Sequence, residues 1–286
     1  MRRSLVLAGG GAKIGWASGV LEVLLDEAGL RFDHIDATSG SVFNLGMLLS
    51  GRTGAEISAA WADLSPREFV SLHRWWKYFR PSRLPSLLTQ QAAIDHIMPK
   101  WGIDLDRVRS CTHVYDHPMV ATFNVCDFDT KRVVTFTNDE MDIDRFIAVD
   151  AVPGVVPPVE ADDTLYIDAM LLQDANLLEA VERGADEIWV IWTVEDRLEW
   201  RGGLTNHLGH AFETCALGAL WRHLDEIERI NDERRARGEA PIVVHLLQPA
   251  EPIPIGYLFF RRKSQMPPVI ESGRAYARNY LANLVP

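Results

Sequence analysis

Two consecutive units of the same design fill the first fifty residues, and they constrain the fold more than anything else in the chain. Each is an apolar run, a turn of small residues and an apolar helix. Ser4 to Ala8 runs into Gly9-Gly10-Gly11, and from Lys13 to Ala28 the residues Val20, Leu21, Leu24 and Leu25 recur at helical spacing. Phe32 to Thr38 then runs into Ser39-Gly40-Ser41, and Val42 to Leu49 follows as an apolar helix stopped by Gly51. Two strand-helix units in succession demand crossovers, and so a mostly parallel sheet with helices on its faces. The expected fold is α/β, three layers α/β/α around a central, mostly parallel sheet.

The rest of the chain continues the pattern. Thr53 with Glu56, and Ser65-Pro66 with Glu68, are capping boxes, so residues 53–98 are predicted to be mainly helical. Met119 to Asp127 and Lys131 to Thr137 read as a hairpin, followed by a helix near 142–151 and a Pro-rich loop from Val152 to Val159. A short strand, Leu165 to Ile167, leads into Asp168; a helix over 175–183, a strand from Glu187 to Val194, a long helix near 205–237, a strand over 242–247 and a helix near 267–284 complete the chain. One domain over 1–286 is expected, with a motif-bearing core at 4–195 and an extension at 196–286.

The bulk properties exclude several classes. A formal charge of -11, from 29 Lys and Arg against 40 Asp and Glu, repels a phosphate backbone, so nucleic acid is not an expected partner. Cys111, Cys126 and Cys215 are too few and too scattered for a disulfide framework or a zinc ribbon, which suggests a reducing, cytoplasmic setting. The apolar run at the N-terminus is short and ends in glycines and Lys13, so it reads as a strand rather than a signal peptide. With no run of roughly 18 to 20 apolar residues, any membrane association is expected to be peripheral. His113 and His117 have a metal-ligand offset, but Pro118 disfavours a helix there, and no metal or cofactor is expected.

Three elements carry chemistry. Gly9, Gly10 and Gly11 sit between a strand and a helix, where backbone N–H groups and the helix dipole favour an anion. A P-loop is excluded because Ile14 follows Lys13. A dinucleotide loop (Gly9, Gly11 and Gly15, with Asp33 or Asp36 as the ribose acid), an oxyanion hole and a plain turn remain. Ala37-Thr38-Ser39-Gly40-Ser41 is a small-residue version of the nucleophile elbow GxSxG, with a helix cap as the simpler reading and Ser41 as a lesser candidate. Asp168 ends a short strand, a place where a carboxylate usually serves a turn.

Taken together these stretches resemble the patatin-like phospholipase family, in which a Gly-rich oxyanion loop, a Ser elbow and a DG[GA] motif occur in that order. Arg145 to Val159 and Asn44 share in the likeness, which covers most of residues 4–195. The resemblance implies a Ser-Asp dyad acting on lipid or other acyl esters, with Ser39 as nucleophile, Asp168 as base and Gly9, Gly10 and Gly11 as oxyanion donors. Lys13 and Gly40 would support it. Ile14, Ala37, Ser41 and Met170 depart from the family's glycines, so a weak or inactive lipid-binding or scaffold protein is the alternative, and a dinucleotide-binding oxidoreductase a more distant one.

Two further features bear on function. His207, His210, His223 and His245 follow Asp168 in the order of a Ser-Asp-His triad, but the first three fall on or near a long helix with a polar face and read as surface residues. From Phe69 to Ile94 there is no acid, while Arg74, Lys77, Arg80 and Arg83 alternate with Trp75, Trp76, Tyr78 and Phe79, a candidate lid or lipid interface. Tyr257 to Lys263 has the same character. The competing reading packs these rings into the core. Oligomeric state is not legible.

Overall fold

A computed structural model describes the chain except residues 70, 80–83, 196–199, 201, 257–260 and 285–286. Arg80, Arg83 and Tyr257 to Phe260 therefore lie outside the described residues. Eight strands form the main sheet: β1 (Arg3–Leu7), β2 (His34–Thr38), β3 (Val120–Asp127), β4 (Arg132–Thr137), β5 (Val159–Ala161), β6 (Thr164–Asp168), β7 (Glu187–Ile191) and β8 (Val243–Leu247). Their spatial order is β8-β7-β1-β2-β3-β6-β5, with β4 also on β3. The pairs from β8 through to β3 are all parallel, as the opening units require, whereas β4, β5 and β6 join antiparallel.

The alternation of the central strands divides the apolar residues between two layers. Leu5, Leu7, Ile35, Ala37, Trp189 and Ile191 face the larger core, under α1 (Ile14–Glu22), α2 (Ser41–Leu49), α3 (Gly54–Asp63) and the terminal helix. Val6, Ala8, Ile188 and Val190 face the smaller one, closed by α4 (Leu177–Glu182) and α5 (Leu204–Ala236). Residues after 196 thus complete both the sheet, through β8, and the cover of the larger face, through α6 (Met266–Leu284).

Two expectations need correction. Residues 53–98 are helical only in short pieces: the Thr53 box is formed and starts α3, Pro66–Phe69 is a single turn, and helix resumes only at 91–98. Beyond it Ser71–Leu72 pairs antiparallel with Leu88–Thr89 around a 3-10 turn, Trp75–Phe79. A capping box nucleates a helix but does not extend one, and the apolar residues that recur at helical spacing in the basic-aromatic run, Leu72, Trp75, Trp76 and Phe79, are all exposed, so no burial holds a longer helix there. The Pro-rich stretch is loop-like up to Pro158, but Val159–Ala161 then forms a hairpin with β6, whose turn residues Asp162 and Asp163 both have positive φ.

The cover of the larger face rests on a backbone contact between helices. A Cβ at Gly19 of α1 would lie 2.2 Å from the Ile270 carbonyl oxygen, and one at Gly273 of α6 would lie 2.2 Å from that of Trp16. Arg274 adds a salt bridge to Glu22 at 2.8 Å. Gly273→Ala gains about 1 kcal/mol of helix propensity. It must also push apart two backbones, at a cost of roughly 1–3 kcal/mol or more. Urea denaturation should therefore show a net loss of about 1–2 kcal/mol; equal or greater stability would mean that the helices do not approach this closely.

Candidate active site

The register of β3 brings the two key residues together. β4 occupies one edge of β3 along Thr122 to Asp127, so β2 and β6 must share the other. β2 uses it as far as Thr38 opposite Asn124, and β6, running the opposite way, ends with Asp168 opposite Val125. The two strands meet head to head at adjacent residues of β3. Ser39 and Asp168 are the residues at that meeting point, although 129 positions apart in sequence (168 less 39).

Ser39 has φ 55°, in the left-handed region that a non-glycine residue enters at a cost, between the end of β2 and Gly40 at the start of α2. Gly40, not Ser41, stands at the N-cap of α2, and the Ser41 hydroxyl donates to the Ala8 carbonyl at 2.6 Å, tying the elbow to the glycine loop. In α2, Asn44 accepts the Trp61 indole N–H at 2.6 Å and so holds α3.

Ser39 is 2% exposed and Asp168 1%. Asp168 Oδ1 accepts the Met170 N–H at 2.8 Å, so the carboxylate does serve a turn. Its Oδ2 is buried without a hydrogen bond of good geometry among the described residues. Burial raises the Asp168 pKa to about 7, although the nearby Ser39 hydroxyl and the Met170 N–H both favour the charged form.

The glycine loop lies beside this pair. Gly10 and Gly11 have φ 155° and 53°, and a Cβ at Gly10 would fall 2.0 Å from Thr193 Oγ1. The three expected donors are not equivalent. The Gly9 N–H is given to the Asp174 carbonyl at 3.3 Å, whereas those of Gly10 and Gly11 make no hydrogen bond among the described residues. Gly40 packs with Gly11 Cα and the Ile14 methyl, so the departure at Ile14 fills space under the elbow. Lys13 is buried, with Nζ 2.6 Å from Glu195 Oε1, and Glu195 also accepts the Ile253 N–H at 3.1 Å.

Two carboxyls that sequence reasoning missed stand close by. Asp174 is 4% exposed; burial and the neighbouring Asp168 charge raise its pKa to about 8. Burial and the Asp168 charge also push Asp150 well above the carboxylate range. The only signal was an acid in an otherwise apolar or uncharged run, Leu171 to Asn176, which looks like a cap; the cap is Asn176, which accepts the Glu179 N–H at 3.4 Å. Among the described residues, no group of three or more His, Cys, Asp and Glu side chains is arranged to hold a metal ion.

Under the sheet a polar chain braces the elbow strand. Asp36 accepts from Thr122 Oγ1 at 2.6 Å and from Asn124 Nδ2 at 2.7 Å, Asn124 Oδ1 accepts from Asn176 at 2.6 Å, and His34 meets Thr122 at 2.7 Å. Burial raises Asp36 to about 7 and lowers His34 to about 3. Asp36 is therefore enclosed, and Asp33 accepts the Arg3 N–H at 2.7 Å, which leaves neither placed as a free ribose acid.

No histidine hydrogen-bonds Ser39 or Asp168 among the described residues. His207 is exposed and His210 pairs with Glu213 at 3.0 Å. His223 is not the surface residue its helix suggested: it is partly buried and bonded to the Ala175 carbonyl. His245 lies in the middle of β8, 3.0 Å from Glu187.

The rings of the basic-aromatic run are outside the core. Trp75 is 70% exposed, Phe79 75% and Leu72 66%. Arg74, Trp76 and Lys77 are exposed beside them, with Arg74 5.2 Å from the Trp76 ring centroid. The same segment touches the site's framework: Leu87 and Leu88 donate to the Gly154 and Val155 carbonyls at 2.9 and 2.7 Å, and the loop they hold gives the Ala151 carbonyl to Asp168 N–H at 3.0 Å.

Comparison with known proteins adds family and fold. The family model described as patatin-like phospholipase matches residues 5–181. No curated protein sequence matches. Among solved structures the chain is similar to VipD from Legionella pneumophila, with a TM-score of 0.57 and 11% identity over 99% of this chain and 67% of that one. It is also similar to the type III effector protein ExoU of Pseudomonas aeruginosa, with a TM-score of 0.48 and 12% identity over 99% of this chain and 53% of that one. At such identities the likeness is one of fold, and the chain spans about two thirds of VipD and half of ExoU.

Proposed function

The chain belongs to the patatin-like phospholipase family, and from that premise we propose that it hydrolyses acyl esters of lipids, with Ser39 as nucleophile and Asp168 as its base. The observation that carries the reading is the head-to-head meeting of β2 and β6, which leaves a strained, buried hydroxyl beside a buried carboxyl whose second oxygen has no other partner among the described residues. We read residues 1–286 as one catalytic domain.

In this mechanism Asp168 takes the Ser39 proton as Oγ attacks the ester carbonyl. The negative charge that develops on the carbonyl oxygen meets the unbonded N–H groups of Gly10 and Gly11 and the positive ends of α1 and α2. Such preorganised donors contribute about 3 kcal/mol each. When the tetrahedral adduct collapses, Asp168 returns the proton to the leaving alcohol, and Ser39 carries the acyl group. Water, deprotonated by Asp168, then releases the acid and restores Ser39. No imidazole is needed, because burial already holds the Asp168 pKa near the pH at which a base works best.

The lipid is met at the exposed run Arg74, Trp75, Trp76, Lys77 and Phe79, with Arg80 continuing it in sequence. Rings and cations together suit an anionic bilayer surface, where cations meet phosphate and rings settle among the headgroups. Among the described residues no helix is long and apolar enough to cross a membrane, so the contact is peripheral in this reading. The closed site favours a second reading, a lipid-binding protein without turnover, because Ser39 is out of reach of bulk solvent.

Hydrolysis of a short chromogenic ester and of a phospholipid separates the two. Wild type should turn over, with activity rising through about pH 7 as Asp168 loses its proton. Ser39→Ala and Asp168→Asn should each lose roughly 10²–10⁴-fold or more in kcat with the fold retained; activity independent of Ser39 sinks the proposal. For the interface, Trp75→Ala combined with Arg74→Ala and Lys77→Ala should weaken binding to vesicles containing phosphatidylglycerol at least about tenfold, as each cation near such a surface is worth about 1 kcal/mol. Short-ester turnover should be unchanged, and equal vesicle binding would refute this surface as the contact.

A further inference from the structure

Asp174 is a buried carboxyl beside the glycine loop that the two-residue mechanism leaves idle. A Cβ on Gly9 would lie 2.3 Å from Asp174 Oδ1 and 2.8 Å from Ser39 Cβ, so the Asp174 oxygen, the glycine loop and the nucleophile converge on one point. That oxygen is buried without a hydrogen bond of good geometry among the described residues; the nearby Gly9 N–H favours its charged form, but less than burial and the Asp168 charge oppose it. A buried polar atom without a partner costs stability, and one that faces a nucleophile has a natural partner in the substrate.

The charged groups around it decide which form it takes. Asp168 repels a second negative charge here, and its charge raises both Asp174 and Asp150. On the α5 side His223 is held on the Ala175 carbonyl, with its own protonation disfavoured by burial. On the far side of the glycine loop the Lys13 charge is matched by Glu195. Neighbouring buried carboxyls do not both ionise readily. Asp168 keeps the charge, because the Met170 N–H and the Ser39 hydroxyl favour it, and Asp174 keeps a proton to about pH 8. A charged Asp174 would oppose an oxyanion, whereas a protonated one can donate to it, as apolar sites elsewhere use a neutral carboxylic acid.

We propose that Asp174 is a third catalytic side chain, a carboxylic acid that donates its O–H to the ester carbonyl oxygen as that oxygen becomes the oxyanion, alongside Gly10 and Gly11. The proton stays on Asp174 through attack and collapse; only a hydrogen bond strengthens and relaxes, and no bond to Asp174 forms or breaks. The inference rests on the Ser39 esterase reading. It assigns the fall of activity at high pH to Asp174 and the rise at lower pH to Asp168, the two limbs belonging to the coupled pair.

The test is the pH profile of kcat and KM on one chromogenic ester for wild type, Asp174→Asn, Asp174→Leu and Ser39→Ala. Asn supplies a neutral N–H donor of nearly the same shape, so it should keep kcat within about fivefold and lose the alkaline limb that wild type shows near pH 8. Leu removes the donor and should lower kcat about 10²-fold with KM little changed. If Asp174→Leu fails to fold, the Asn profile alone decides. Asn as impaired as a folded Leu variant, or an alkaline limb that persists in Asn, overturns the role of Asp174 while Ser39→Ala stays inactive. Turnover that is absent in wild type or survives in Ser39→Ala removes the esterase reading and this inference with it.

Discussion

Two strands that run toward each other along one edge of β3 hold the site together. A parallel sheet alone would place Ser39 and the glycine loop at the ends of neighbouring strands, which many α/β folds do for many purposes. What distinguishes this one is β6, which enters antiparallel and stops where β2 stops, at Asn124 and Val125. The hydrogen-bond register fixes the approach of Ser39 to Asp168, so no flexible loop has to find it. Positions set by strands are more exact than positions set by loops.

Electrostatics builds on that framework. The site and its support contain Asp36, Asp150, Asp168 and Asp174, all raised by burial, while the nearby Lys13 charge is neutralised by Glu195. A set of desolvated carboxyls with so little cationic compensation favours protons over charges near neutral pH. Asp36 is satisfied by Thr122 and Asn124 and braces β2, whereas Asp168 and Asp174 each keep an oxygen without a hydrogen bond of good geometry among the described residues. These two oxygens lie beside Ser39 and the glycine loop, where strain and unmet hydrogen bonds are usually tolerated for function.

Much of this was legible in the sequence. The paired βα units imply the parallel core, the hairpin over 119–137 is present, and Ser39 and Asp168 stand at strand ends as their motifs suggest. Other parts were hidden for physical reasons. The head-to-head contact depends on register between strands far apart in sequence, which no local pattern encodes. The roles of Lys13 and Gly9 depend on the partners Glu195 and Asp174, contributed by segments more than 160 residues away. Residues 53–98 misled because a genuine helix start at Thr53 says nothing about where the helix ends.

Covalent trapping tests the central claim most directly. Wild type treated with a fluorophosphonate and mapped by peptide mass spectrometry should carry a single adduct on Ser39, formed more slowly in Asp168→Asn. An unmodified Ser39 in folded protein, or an adduct on another residue such as Ser41, would contradict the account.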